Sequence, residues 1–360
     1  MHNLRERFAN VFCTAGASMA APPSHVTLLS LIAVVSANTA CERGLTIAKR
    51  SKCPSNRWKD FVTESLVNTS SAIGGGAPLL YVNVGANKGF AVAEFLQRFH
   101  DDGGRTPSNR EWHRSIKIIK PSGMFGCGMC SACKDPKPEL RHNRSVRVVA
   151  FELLKPNHLL LTKLFARHAV PGVAIHAAVS NYTGTAYAPT GVRTGQEWTS
   201  AEIGEQASAG SPSGTAHAAR RGRAAVPSTT IDAWAARDGL RRIDWLSIDA
   251  EGWDALILEG SAALLSSRSV ELLEFEYHHK GLWDESLPPG ERRNLKSVLA
   301  TLHASGYACF WQGDKGSLAE ANGARWCESF EFRAHSNMVC AHREPLVRAL
   351  RGLDQGAGAD

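Results

Sequence analysis

Three carboxylates and one glycine-rich turn are the residues of this 360-residue chain whose types and spacing best suit ligand chemistry. Glu152 closes the apolar run Val146–Glu152, Asp249 closes Ile243–Asp249, and Glu276 lies near the end of Val270–Tyr277. The turn is Gly85-Ala86-Asn87-Lys88-Gly89, directly after the apolar run Leu79–Val84. Two glycines without a bulky neighbour let backbone N–H groups approach a ligand closely, as in a strand-to-helix nucleotide site. Gly and Asn are also ordinary turn residues, so the turn acquires meaning only from its companions. A carboxylate ending the second strand can accept hydrogen bonds from both hydroxyls of a ribose held over the first turn. One acid at a strand end is commonly a surface residue. Three at one sheet edge mark the place where open α/β sheets bind ligands, the carboxyl ends of their strands.

The elements that must position these groups follow from the pattern of apolar residues. Leu79–Val84 suits a buried strand, and Phe90, Ala93 and Leu96 then fall at helical spacing. Before them, 41–77 is a polar extension with one helix expected at Trp58–Val67. After His100, residues 101–145 are rich in Gly, Pro, Arg and Lys and read as an insertion. Further strands are expected at Val146–Glu152, Val173–Val179, Ile243–Asp249 and Val270–Tyr277, and helices from Pro156 to His168, at Thr229–Asp238, at Trp253–Leu265 and at Glu291–Ser305. Tyr182–Pro189 reads as a small hairpin element. An Ala/Gly/Ser-rich loop at 191–227, with Arg220, Arg221 and Arg223, is either solvated or folded over a substrate. Tyr307–Trp311 and Asn337–His342 form a terminal pair without room for a full crossover helix, which predicts an antiparallel edge. The alternation as a whole predicts a doubly wound α/β sheet. The domain carrying it spans 78–345, and 346–360 is expected to be a flexible tail.

Four segments in this order, VNVGANKG, VVAFELLKPN, STTIDAW and IDWLSIDAEGWDALILEGS, resemble the FkbM-type S-adenosylmethionine-dependent methyltransferases. The resemblance runs from about Pro78 to Trp283 and is interrupted by the two insertions. Its most specific part is Ile248-Asp-Ala-Glu-Gly252 with Leu258-Glu-Gly260. It implies a Rossmann-like class I methyltransferase sheet of about seven strands, mostly parallel with an antiparallel edge strand. It also implies methyl transfer from S-adenosyl-L-methionine, commonly to a hydroxyl oxygen of a carbohydrate or small molecule. Carried over, Gly85, Ala86, Asn87 and Gly89 line the methionine portion of the cofactor, Glu152 holds the ribose, and Ser180 or Asn181 lies near the adenine. Asp249 and Glu251 face the reacting methyl and the acceptor.

Two positions depart from the family pattern. Asn83 stands where Asp is usual in the first strand, so an amide replaces the carboxylate offered to the cofactor's ammonium. Leu153-Leu154 replaces the usual proline after the acid, and Pro156 comes slightly later. Transfer from a sulfonium needs mainly proximity and in-line orientation, and a hydroxyl acceptor benefits from a base. Asp249 or Glu251 is expected to act as that base or to bind a divalent metal that acidifies the acceptor. His278 and His279 are second candidates. Two other readings compete: an NAD-dependent oxidoreductase, disfavoured by G-x-N-x-G in place of G-x-G-x-x-G, and a non-catalytic cofactor-binding module.

Composition narrows the partners. With 43% hydrophobic residues the chain can bury a sizeable core. The net charge of +7 is spread among interspersed acids and bases, so the surface is mildly basic and no nucleic-acid partner is expected. Val26–Ala37 is apolar but shorter than the roughly 18 residues a bilayer span needs. With Arg5 and Arg7 before it and small residues behind, it reads as a signal or targeting segment within 1–40, with no stable membrane span. Loss of Cys13 with that leader would leave eight cysteines, an even set suited to the secretory lumen. Asn68, Asn143 and Asn181 begin glycosylation tripeptides. Cys127, Cys130 and Cys133 are expected to form disulfides, with Cys41 or Cys53 as partners, in preference to a zinc knuckle completed by His142. Cys327 and Cys340 flank the final hairpin and are expected to cross-link it, leaving Cys309 as a buried thiol or a third partner.

Overall fold

Helix α1 (41–49) and helix α2 (Trp58–Gly74) lead into strand β1 (Leu79–Val84), whose six side chains are all buried, as expected for a strand covered on both faces. A computed structural model describes residues 41–49, 57–74, 76–100, 106–120, 122–123, 126, 142–197, 222–313, 316–333 and 336–354. The leader expected at 1–40, Cys53, the cysteines at 127, 130 and 133, and Arg220 and Arg221 lie outside the described residues. Past β1 come α3 (Phe90–Phe99), α4 (Asn109–Ile119), β2 (Val146–Glu152), α5 (Lys155–Arg167), β3 (Gly172–His176), β4 (Ala178–Val179), β5 (Gly184–Pro189) and β6 (Arg223–Thr229). The second half holds α6 (Ile231–Arg237), β7 (Ile243–Ile248), α7 (Asp254–Glu259), α8 (Ala262–Ser266), β8 (Val270–Tyr277), α9 (Leu295–Ala304), β9 (Ala308–Gln312), β10 (Leu318–Glu320), β11 (Ser336–Ala341) and α10 (Glu344–Asp354).

Eight strands form one sheet in the order β10-β9-β11-β8-β7-β1-β2-β3. Strands β8, β7, β1, β2 and β3 are parallel, while β11, β9 and β10 add an antiparallel edge. This is the doubly wound, mostly parallel class I methyltransferase type of sheet with its antiparallel edge. Strand order reverses between β1 and β7, which opens a crevice at their carboxyl ends. Alternation along β1 divides the core: Leu80, Val82 and Val84 join the cluster containing Phe151, Trp234 and Phe275, whereas Leu79 and Tyr81 join the one containing Phe95, Leu161 and Trp245.

The local departures from the sequence reading have identifiable causes. The expected strand Val173–Val179 divides, because β3 continues the large sheet while β4 pairs with β6 in a second sheet of order β4-β6-β5. The end of the 191–227 loop is therefore not loop: Arg223–Pro227 belongs to β6, antiparallel to β5. The helix expected at Trp253–Leu265 breaks after Glu259, where Gly260 packs so tightly that a Cβ there would lie 2.1 Å from the Ser180 carbonyl oxygen. Within the 101–145 insertion, α4 is a real helix, started by a reciprocal capping box between Ser108 and Glu111. The flexible tail expected from 346 is instead largely helix α10, whose Leu346, Val347, Leu350 and Leu353 are buried at helical spacing.

Two disulfides close the antiparallel side. Cys309 and Cys340 face each other in the β9–β11 register with Cα atoms 4.1 Å apart, and Cys41 joins Cys327 with Cα atoms 5.8 Å apart. The expected Cys327–Cys340 cross-link is thus corrected, because the ladder places Cys309, not Cys327, opposite Cys340. Among the described residues, no helix is long and apolar enough to cross a membrane.

Candidate active site

The turn after β1 is pinned from below by both neighbouring strands. Gly85 and Ala86 N–H groups donate to the Phe151 carbonyl of β2 at 3.1 and 3.0 Å, and the Asp249 N–H donates to the Val84 carbonyl at 3.0 Å. Gly85 and Gly89 both have φ of 77° and Asn87 has φ of 45°, so the turn uses the left-handed region three times. A Cβ on Gly89 would lie 2.8 Å from Leu161 and 2.9 Å from Trp112. Helix α3 starts at Gly89 without a side-chain cap, so its first-turn N–H groups are available to an anion or a dipole.

Residues that carry no recognisable signal in the sequence hold this turn from above. Trp112 of α4 donates to the Lys88 carbonyl at 2.7 Å. The buried Lys88 ammonium donates to the Gly195 carbonyl at 3.0 Å and pairs with Glu197 at 2.9 Å. Asn157 of α5 accepts from Gly195 N–H at 2.7 Å and donates to the Gln196 carbonyl at 3.1 Å and to Asn87 Oδ1 at 3.4 Å. The first residues of the 191–227 segment are therefore fastened onto the turn.

Glu152, at the end of β2, accepts from Asn87 N–H and from Leu154 N–H, each at 2.7 Å. Its carboxyl is only 5% exposed. Burial pushes its pKa up to about 7, against the two N–H bonds and the Lys88 charge. Each oxygen keeps a second lone pair, so the group can still receive two hydroxyl donors. Asn83 is 2% exposed, and its Oδ1 has no hydrogen-bond partner among the described residues. A buried, unsatisfied amide oxygen is costly, and one beside an open glycine turn fits a site completed by a polar ligand.

The second centre is the Asp249-Ala-Glu-Gly252 corner after β7. Glu251 has φ of 53° and Gly252 φ of 95°, and a Cβ on Gly252 would lie 2.5 Å from the Lys280 carbonyl oxygen. Asp254, fully buried, holds the corner: it accepts from Gly252 N–H at 3.1 Å, from Ala250 N–H at 3.5 Å and from Glu276 N–H of β8 at 3.2 Å. Asp249 is open to solvent on one side, yet enclosure is the chief cause lifting its pKa well above the carboxylate range, followed by the charges of Glu276, Glu251 and Asp254. A side chain both accessible and surrounded lies on the floor of a concavity. Burial likewise raises Asp254, to about 7, and raises Glu251, the latter against the Lys280 and His278 charges.

His278 follows β8 and pairs with Glu276, Nε2 to Oε2, at 3.0 Å. Its Nδ1 accepts from the Lys280 N–H at 2.9 Å. Glu251, Glu276 and His278 each present a donor atom within 4.8 Å of the others. They do not fit a divalent ion: a metal on Nε2 requires a proton on Nδ1, and Nδ1–H would face the Lys280 N–H.

The structure brings Asn83, the turn, Glu152, Asp249, Glu251 and His278 to the crevice edge of adjoining strands β2, β1, β7 and β8. Ser180 and Asn181 are held differently. Ser180 N–H donates to the Thr229 carbonyl at 3.0 Å, and Asn181 donates to Glu259 at the end of α7 at 2.9 Å. Asp254 was missed, although an acid opening a helix two residues after a glycine is a readable start signal. A cavity of about 620 Å³ lined by Arg43, His303, Arg325 and Arg351 includes none of these residues.

The methyltransferase FkbM domain matches residues 127–309, just over half of the chain. The match contains Glu152, Asp249, Glu251, Glu276 and His278 and begins after the Gly85–Gly89 turn. No curated protein matches the chain.

Proposed function

The chain belongs to the FkbM methyltransferase family, and we propose that it moves a methyl group from S-adenosyl-L-methionine to a hydroxyl oxygen of a carbohydrate or related small molecule. The observation that carries this reading is the Glu152 carboxyl, buried and bridging Asn87 N–H to Leu154 N–H beside a turn kept open by glycines. S-adenosylmethionine supplies the electrophilic methyl on a sulfonium. Glu152 receives the ribose hydroxyls, and the turn and first-turn N–H groups of α3 receive the polar atoms of the methionine portion. Asn83 Oδ1 accepts from the ammonium, with weaker attraction than a carboxylate would give. Asp249, at the accessible end of β7, faces the acceptor hydroxyl and takes its proton.

The two disulfides favour an oxidising compartment such as the secretory lumen. Calorimetric titration with S-adenosylmethionine, S-adenosylhomocysteine and NAD, followed by an acceptor screen with methyl-labelled cofactor, tests the function. Binding of both adenosyl ligands and label transfer to a hydroxyl compound is the expected result. Binding of NAD alone would sink the proposal, and binding of none would favour a non-catalytic module.

A further inference from the structure

At the outer edge of the parallel strands, the register of β2 and β3 sets Glu152 beside His176, the last residue of β3. His176 Nε2 lies 3.0 Å from the Leu153 carbonyl oxygen. A carbonyl only accepts, so that nitrogen carries the proton. Burial, and after it the charge of Lys155, holds the His176 pKa below the usual histidine value, so at neutral pH the ring has this one proton to give. His158 of α5 does the same beside it: its Nε2 donates to the Ala174 carbonyl of β3 at 3.2 Å, and the two rings lie 5.2 Å apart. The two histidines thereby fasten β3 to the link between β2 and α5.

The Leu153 carbonyl and the Leu154 N–H belong to one planar peptide unit and point to opposite sides of it. That N–H donates to Glu152 Oε1 at 2.7 Å, so imidazole, peptide and carboxyl form one chain of hydrogen bonds. A peptide whose oxygen accepts is a stronger donor through its nitrogen, by about 10–30% per bond. Orientation adds to this. Leu153 is not proline, so no ring fixes its φ. Helix α5 fixes the peptide that follows, through the Leu154 carbonyl, which accepts from the Asn157 and His158 N–H groups at 3.0 and 2.9 Å. His176 fixes the Leu153–Leu154 peptide itself, from the side opposite Glu152.

We propose that His176 is the positioning residue for Glu152, orienting and polarising the Leu153–Leu154 peptide so that its N–H holds the carboxyl where the ribose hydroxyls reach it. The ribose role rests on the methyltransferase reading, whereas the hydrogen-bond chain is a property of the ligand-free protein. The other carboxyl oxygen is held from a separate direction, by Asn87 N–H donating to Oε2 at 2.7 Å. Loss of His176 therefore loosens one oxygen and leaves the donor to the other in place.

Nuclear magnetic resonance of the ¹⁵N-labelled, ligand-free protein at about pH 7 tests the chain. In the wild type the His176 ring is expected as the Nε2–H tautomer, with the Leu154 amide proton strongly downfield. His176→Phe should move that amide proton upfield while the Asn87 amide moves less. His176→Gln, whose side-chain amide can donate to the same carbonyl, should restore it. S-adenosylmethionine affinity, read by calorimetry, should fall about threefold in His176→Phe and return in His176→Gln, a recovery that loss of ring packing alone would not give. An Nδ1–H tautomer in the wild type would overturn the proposal without any variant. So would a Leu154 amide proton unmoved by His176→Phe, or His176→Gln leaving both readouts where His176→Phe leaves them. Failure of the wild type to bind S-adenosylmethionine would sink the methyltransferase reading and the ribose role with it, while the tautomer and the Leu154 shift would still decide whether His176 positions Glu152.

Discussion

A Cβ placed on Gly85 would lie 1.8 Å from the carbonyl oxygen of Asp249, so the turn assigned to the cofactor and the strand end assigned to proton transfer are in direct backbone contact. No side chain mediates between them. The two halves of the site are registered by the β1–β7 ladder, in which Val84 stands opposite Ile248.

Gly85→Ala should therefore damage both halves together. The methyl group collides with backbone that cannot rotate away, and φ of 77° disfavours any side chain. A destabilisation of about 3 kcal/mol is expected from overpacking plus backbone strain, measured by urea denaturation. Cofactor affinity should fall at least about tenfold, or about 1.4 kcal/mol. A variant with wild-type stability and affinity would contradict the close approach.

Asp254→Ala should loosen the Asp249–Gly252 corner without touching a ligand. Three backbone N–H groups lose their acceptor at a fully buried position, which should cost about 3 kcal/mol. Amide exchange at Gly252 and Glu276 should quicken, and unchanged exchange there would refute the clamp. The leading observable is exchange, because activity would fall for several reasons at once.

The strands were legible in this sequence where burial on both faces leaves a continuous apolar run, as at Leu79–Val84 and Val270–Tyr277. The acids at their ends followed from the same pattern. What escaped depended on contacts distant in sequence. Gly260 ends α7 because Ser180 lies against it, and Cys309 finds Cys340 because two strands align in one register. Trp112 and Asn157 support the turn from a helix inside an insertion and from the face of α5, positions that no local period distinguishes. Helix α10 is written in the sequence, because Leu346, Leu350 and Leu353 repeat at helical spacing.

Cys41 and Cys327 are 286 residues apart in sequence, so their bond should restrict the unfolded chain strongly. Loop-closure entropy puts this at about 5 kcal/mol. The Cys309–Cys340 bond spans 31 residues and should contribute somewhat less. Alkylation of the unreduced, denatured protein should leave all four cysteines unmodified. The Cys41→Ser/Cys327→Ser variant should unfold at distinctly lower urea, whereas labelling of Cys309 or Cys340 without reductant would disprove that pair.

Glu152 predicts opposite pH responses for stability and for binding. Its pKa is about 7 in the fold against about 4.3 for a free glutamate, so the folded protein holds the proton more tightly than the unfolded chain does. The stability it contributes is then full below the unfolded value and is lost as pH rises through about 7, a change on the order of 3 kcal/mol. The ionised carboxyl accepts from the ribose hydroxyls more strongly than the neutral acid, which has given one lone pair to its proton, so cofactor affinity should rise over the same interval. Glu152→Gln should remove both trends: in wild-type-minus-variant comparisons from about pH 5 to about pH 8, the other raised acids Asp249, Glu251 and Asp254 cancel to first order. The check is urea unfolding paired with cofactor titration at each pH. A difference in stability that stays flat, or that rises with pH, would remove the buried-acid account of Glu152. An affinity that ignores pH in the wild type would separate Glu152 from the ribose.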